Sequence, residues 1–403
     1  MKKFLTAVIL MLIFIGHANA EPARNLSTSV DVFCWKYFAT LNRDENIFYS
    51  PYGINAALSI LANGASGDTL KEIIFALDAD NLENLNDCHK NFSEYAEKNY
   101  RGENLFMESN LLLIDKSVIG KGLDKNFKRV VTDIYKSDVR KANFSSDLDG
   151  EKQKISNWVS DKTAGFIPNY KSIVTADTLT DLLNVVYFKG KWQMPFKAHV
   201  TEVETFNNRN GSTREVDTMN KVFENAIAYR EDEKFKGIVL PYSENAAMYL
   251  ILPVDKSLNV AEFWNNETFS YRADFINGLR NSSAFDGEVV VRLPKFELDI
   301  ENSLVDSLKA MGIEKSFTDD AEFFNIINGT SLKIENAKHR AKVKVDEQGT
   351  EAAAITEINI NATAVFNPKP PPTVYFIADR PFLFMIRDVK SNVTLFAGVV
   401  NNL

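Results

Sequence analysis

The sequence predicts an α+β fold in a single unit. Three observations lead there. Apolar residues recur at helical spacing mainly between Ser27 and Thr163, whereas short continuous or alternating apolar runs dominate from Asp181 onward. The later runs follow one another with few helical patterns between them, so the sheets are largely not in βαβ order. No linker, low-complexity tract or repeat divides the 403 residues, although a chain of that length would allow about two or three domains. With 45% hydrophobic and 25% charged residues, the chain has the composition of a globular protein with a large core.

The elements follow in order. Ser27 to Leu41 places Val30, Phe33, Cys34, Phe38 and Leu41 on one helical face, with Ser or Thr available as a cap. Asn46 to Tyr49 is a short apolar run stopped by Pro51. Ile54 to Asn63 is a helix, with Gly64 as its C-terminal glycine. Thr69 to Leu77 is another. Leu105 to Ile114 is a strand interrupted by Glu108 to Asn110, and Lys152 to Thr163 an amphipathic helix carrying Ile155 and Trp158. Asp181 to Phe188 is almost continuously apolar, as a central strand buried on both faces should be. Phe235 to Pro241 and Ala247 to Leu252 form a strand pair, Glu288 to Leu298 a further strand, and Ser303 to Met311 a helix closed by Gly312. Lys333 to Val345, Tyr375 to Ile386 and Thr394 to Val400 are strands.

The first residues stand apart. Lys2 and Lys3 precede an apolar run from Phe4 to Ile15, then His17-Ala18-Asn19-Ala20. This is a charged n-region, a short h-region and an Ala-x-Ala exit, so residues 1–20 read as a secretory signal and 21–403 as the folded unit. The run is too short to span a bilayer and no later one is long enough, so a secreted, extracellular product without membrane contact is expected. The formal net charge of -8 argues against nucleic acid as a partner. The two cysteines, Cys34 and Cys88, make no disulfide scaffold; they either pair with each other or stay as buried thiols. Asn-x-Ser/Thr sequons at Asn25, Asn91, Asn143, Asn210, Asn266, Asn281, Asn328, Asn361 and Asn392 are glycan acceptors where they lie on the surface of a secreted chain.

Catalytic and cofactor patterns are missing. Beyond residue 20 the histidines are His89, His199 and His339, and no two have metal-ligand spacing. Gly64-Ala65-Ser66-Gly67 has the wrong spacing for a nucleophile elbow, and neither phosphate-cradling glycine fingerprint occurs. No metal, cofactor or enzymatic activity is expected. His339 reads as a core histidine. Lys121, Lys125, Lys128, Arg129, Lys136, Arg140 and Lys141 are interleaved with Asp124, Asp133 and Asp138, which reads as a solvated face rather than a polyanion site.

The most informative stretch is Val345 to Pro372. From Thr350, every second residue (Thr350, Ala352, Ala354, Thr356, Ile358, Ile360, Ala362) is small or apolar, and the interleaved set is mostly polar. That period of two is the signature of a half-buried strand. Yet the stretch begins beside Gly349 and ends in prolines that cannot continue a central strand. It is a loop with the capacity to become a strand.

This stretch and several others resemble the serpin superfamily, specifically its inhibitory members, over nearly all of residues 21–403. Asn46 to Pro51, Asn184 to Trp192, Phe235 to Tyr242, Leu293-Pro294-Lys295-Phe296, Met311-Gly312-Ile313, Val345 to Ala354 and Phe376 to Phe384 all match, in family order. The resemblance implies one domain with three β-sheets, about nine helices, and an exposed reactive loop over about 347–373. It implies a hinge at Glu347, Gly349, Thr350, Glu351, Ala352, Ala353 and Ala354. It places Ser50, Asn184 and His339 in a polar shutter under the main sheet, and Trp192 with a Lys295–Glu347 ion pair at an upper breach. A second shutter serine, usual three residues after Ser50, is here Gly53, so one shutter hydrogen bond should be missing. Ile355 replaces a small hinge residue but falls on the outward set.

The resemblance further implies a monomeric inhibitor of serine proteases that acts as a suicide substrate. The protease cleaves the loop, and the freed end enters the main sheet while still bound to the enzyme. Counting sixteen residues beyond Glu347, as the family does, gives Thr363-Ala364 as the reactive bond, with Val365 or Phe366 as alternatives because the loop continues further than usual. Small residues suit an elastase-like pocket and Phe366 a chymotrypsin-like one. No Lys or Arg lies between Glu351 and Pro368, and Lys369 precedes proline, which disfavours trypsin-like targets. The alternatives are a non-inhibitory relative (carrier, chaperone or storage protein) and an inhibitor that crosses to cysteine proteases.

Overall fold

The structure, a computed structural model, describes residues 25–119, 122–327, 332–350 and 371–403. The signal segment, Lys121, Asn328, Glu351 to Ala354, Asn361 and Thr363 to Phe366 lie outside these residues.

Six helices and four strands come first in the chain. They are α1 (Leu26–Phe38), β1 (Ile47–Tyr49), α2 (Pro51–Gly64), α3 (Gly67–Ala76), α4 (Leu82–Asn99), β2 (Leu105–Asp115), α5 (Lys125–Asp133), β3 (Asp138–Ala142), α6 (Leu148–Lys162) and β4 (Thr180–Lys191). Then come β5 (Glu202–Asn207), β6 (Thr213–Glu224), β7 (Tyr229–Glu231), β8 (Phe235–Pro241), β9 (Ala246–Pro253), α7 (Val260–Asn265), α8 (Phe269–Asn281), β10 (Glu288–Pro294), β11 (Phe296–Ser303), α9 (Val305–Ala310), β12 (Asn336–Asp346), β13 (Gly349–Thr350), β14 (Thr373–Ile377), β15 (Phe382–Asp388) and β16 (Thr394–Val400). Nine α-helices and three sheets are thus present among the described residues.

The main sheet has the order β11-β12-β13-β4-β2-β3. A second six-stranded sheet runs β1-β16-β15-β9-β8-β7, and a four-stranded one β14-β10-β6-β5. α2 lies between the two large sheets, touching β4 and β16. That position explains its sequence. It is buried on nearly every side, starts with Pro51 at its first position, and is capped by Ser50 Oγ, which accepts from Gly53 N–H. Phe48 stacks on both Phe384 and Phe396 across the same interior, with ring centroids 5.7 and 5.3 Å away.

Several expectations are corrected. Glu288 to Leu298 is two strands in different sheets, because Pro294 cannot donate to a ladder and the chain turns at Lys295. Tyr375 to Ile386 likewise divides, at Ala378 to Pro381, between the four-stranded and second sheets. Gly64 is the last helical residue of α2, and Ala65 is the cap. Cys34 and Cys88 do not pair. Cys34 is buried against Tyr49 Oη at 3.3 Å, and burial pushes its thiol up to about 12, where it is inert. Of the sequons, Asn25, Asn91, Asn210, Asn266 and Asn281 are exposed, while Asn143 and Asn392 are partly buried.

Candidate functional site

The main sheet is open at one end and closed at the other. At the open end β13 lies between β12 and β4. Thr350 pairs with Val345 on one side and Gly190 on the other, and Gly349 with Asp346 and Lys191. Further down, β12 and β4 pair directly and in parallel, from Asn336↔Asp181 to Ala341↔Val186. The chain that leads into residues 351–370 therefore already occupies the first positions of a strand that the closed part of the sheet has no room for.

Two residues make that wedge possible. A Cβ on Gly349 would stand 2.1 Å from Gly190 O, and its φ of +151° is one that side chains resist, so only glycine lets the backbones approach. Thr350 is completely buried, and its hydroxyl lies 2.7 Å from Tyr242 Oη. Tyr242 in turn stacks on Trp192 at 4.5 Å. Trp192 ties this end to the incoming chain: its Nε1 donates to Asp346 O and its backbone N–H to Gln348 O, both at 2.9 Å. Glu347 is held by Thr201 Oγ1 at 2.9 Å and by Lys295 Nζ at 3.4 Å. Burial alone would raise its carboxyl. Hydrogen bonds from its own N–H and Thr201, with the Lys295 charge, outweigh that and hold it below the ordinary range. Lys295 also reaches Asp217, at 3.6 Å.

Ser50, Asn184 and His339 meet in the closed part, where His339 and Asn184 are register partners. Ser50 N–H donates to His339 Nε2 at 2.9 Å, so Nε2 is the acceptor and Nδ1 carries the proton. Nδ1 then donates to Asn184 Oδ1 at 2.6 Å. Ser50 Oγ donates to Leu395 O at 2.6 Å, which binds this seam to the second sheet. Burial lowers the His339 imidazole to about 3, so it stays neutral.

Gly53 needs no serine to complete the seam. Its own N–H donates to Ser50 Oγ at 3.0 Å, and a Cβ there would stand 2.6 Å from Val186 Cγ2 and 2.7 Å from Asn184 Oδ1. The space a side chain would fill has closed around the glycine.

Sequence reasoning missed two members of this network. Asn184 Nδ2 donates to Glu108 Oε1 at 2.9 Å and to Asn110 Oδ1 at 2.8 Å. Asn110 Nδ2 also donates to Glu108 Oε1. Glu108 and Asn110 are residues that interrupt the apolar run of β2. Polar residues two apart in an apolar strand share a face, and their shared partner was the signal to look for. Burial pushes the Glu108 carboxyl up to about 8, against hydrogen bonds from Asn110 and Asn184 that lower it.

Comparison with known proteins agrees with this architecture. Residues 28–403 match the family model described as Serpin (serine protease inhibitor). Ipis-1 of Ixodes persulcatus is 30% identical over 386 residues, covering 94% of this chain and 98% of that protein. An uncharacterized serpin-like protein of Methanosarcina mazei is 30% identical over 402 residues, covering 95% of this chain and 89% of its own. The crystal structure of the thermophilic serpin tengpin in its native state superposes with a TM-score of 0.83 at 26% identity, covering 94% of both chains.

Proposed function

The chain belongs to the serpin family, and we propose on that footing that it is a secreted suicide inhibitor of elastase- or chymotrypsin-like serine proteases. The observation that carries the reading is β13. Gly349 and Thr350 already stand between β12 and β4, directly above the residues through which those two strands pair with each other.

The proposed steps follow from the topology. The protease serine attacks the Thr363 carbonyl; the bond to Ala364 breaks, its amine leaves, and an ester joins Thr363 to the enzyme. Freed at one end, residues 351 onward extend β13 downward. The direct pairs from Asp181–Asn336 to Val186–Ala341 separate, and each partner strand regains its ladder bonds from the new strand. Small Ala352 and Ala354 enter on the face that Thr350 already occupies. From Glu347 to Thr363 an extended strand spans roughly 50 Å, at about 3.3 Å per residue, so the tethered protease is carried to the far end of the sheet. Ser50, Asn184 and His339 act as the latch of the seam. Trp192, Lys295 and Glu347 fix the starting register.

Residues 1–20 would direct export, and the exposed sequons would be acceptors in that compartment. The working form is a monomer that needs no cofactor. The test is incubation of the purified protein with elastase-, chymotrypsin-, trypsin- and papain-type proteases, followed by denaturing gels. A covalent band with one of the first two supports the proposal, and the mass of the released C-terminal fragment gives the bond. Clean cleavage without a complex in every case overturns it in favour of a non-inhibitory relative; a band with the papain type alone overturns the target class.

A further inference from the structure

Beside the seam, α4 and β2 enclose a cleft of about 330 Å³, within the range of small-ligand sites. Its existence follows from the sequence of α4. Ser93, Ala96, Glu97 and Tyr100 share one helical face at i, i+3, i+4 and i+7, and the small residues Ser93 and Ala96 leave a hollow where larger ones would pack against the sheet. Tyr52, Tyr100 and Phe106 supply aromatic walls. We infer that this cleft binds a small amphipathic carboxylate, with its apolar body against those rings and its charge at the lysine rim.

Two observations point to a ligand rather than to a packing defect. Glu108 lines the cleft, and both amides that bond it use Oε1, which leaves Oε2 for another partner. Lys136 and Lys162 stand at the rim, and their contacts are loose: 3.9 Å to Glu97 and 3.8 Å to Asp138. With Arg140, which holds Asp138 at 3.0 Å, three cations stand against two carboxylates, Glu97 and Asp138, so the neighbourhood of the rim keeps a positive balance. Glu108 does not oppose an anion, because burial keeps it protonated at neutral pH and its hydroxyl can donate. Since Glu108 also holds Asn184, an occupant would brace the seam from behind.

The test is calorimetric titration of the intact protein at pH 7 with 3-phenylpropionate, with octanoate, and with 3-phenylpropionamide as the uncharged control. A dissociation constant on the order of 0.1–1 mM is expected for at least one acid, since ligands of this size are limited by their atom count. Lys162→Gln should weaken the acids about 3–10-fold, as for the loss of a partly exposed ion pair, and leave the amide unchanged. Ala96→Phe should abolish binding with the unfolding midpoint retained; if that variant does not fold, Lys162→Gln carries the test alone. Absence of binding by both acids up to about 10 mM, or equal affinity for acid and amide in both proteins, overturns the inference. No protease enters the assay, so its outcome is independent of the inhibitory reading.

Discussion

Asn184→Ala is the sharpest probe of the seam. The side chain is fully buried and makes three bonds: it accepts from His339 Nδ1 at 2.6 Å and donates to Glu108 and Asn110 at 2.9 and 2.8 Å. Truncation strands two buried groups outright, the His339 N–H and Asn110 Oδ1, while Glu108 Oε1 keeps its bond from Asn110. Each stranded group costs about 1–3 kcal/mol, so the loss should be about 2–6 kcal/mol, a large part of a typical stability of about 5–15 kcal/mol. Urea unfolding, followed by far-UV circular dichroism, would show it as a lower midpoint at unchanged slope. A double-mutant cycle with His339→Ala isolates the pair, and a coupling of about 0.5–3 kcal/mol is expected for groups in direct contact. A single-mutant loss below about 1 kcal/mol, with no coupling, would refute the claim that this network latches β4 to β12.

Four further outcomes follow. His339 and His89 are both lowered to about 3 by burial, from 6.5, so the unfolded chain binds more protons and stability falls as pH drops from about 6.5 toward 3. Glu108 is raised to about 8 and Asp181 to about 7, both chiefly by burial, so their contribution is full below their unfolded values near 4 and is lost as pH rises through 7–8; the urea midpoint of Glu108→Gln should fall less between pH 5 and 9 than that of the parent. Gly53→Ser should destabilise by about 1–3 kcal/mol, because Val186 and Asn184 occupy the space; an unchanged or higher midpoint would show that the seam relaxes freely. Gly349→Ala should expel β13, which would change Trp192 fluorescence as Thr350 leaves Tyr242 and its stacked indole; an unaltered spectrum would contradict the tight fit at Gly190.

Much of this was legible in the sequence where one face, or both, is buried. β4 announced itself as a continuous apolar run and is buried through nine successive positions. β8 and β9 pair with each other, as two apolar runs joined by a short connection should. The wedge could be read because glycine, threonine and alternate alanines have few other uses in that order. α4 was not read, because the buried positions along its length are Leu85, His89 and Phe92, and a histidine at the middle of the stripe hides the period. β5 and β6 were not read because their outward faces are polar or exposed, with Val203 and Val222 on the surface. The seam was half read. His339 could be placed, but the reason that Glu108 and Asn110 interrupt β2 lies in β4 and β12, far away in the chain. A pairing between distant strands leaves no local mark in either one.

On the proposed mechanism, the loop can trap a protease only by entering the sheet at Thr350. Thr350 now offers a buried hydroxyl to Tyr242, and Thr350→Arg would force a guanidinium into that position at a cost of several kcal/mol. The measurement is the yield of detergent-stable complex per molecule of protein cleaved, with whichever elastase- or chymotrypsin-like protease gives a covalent band in the proposed panel. The parent should partition mainly to complex, and Thr350→Arg mainly to cleaved protein with active enzyme released. Equal complex yield from the two proteins would contradict insertion through β13.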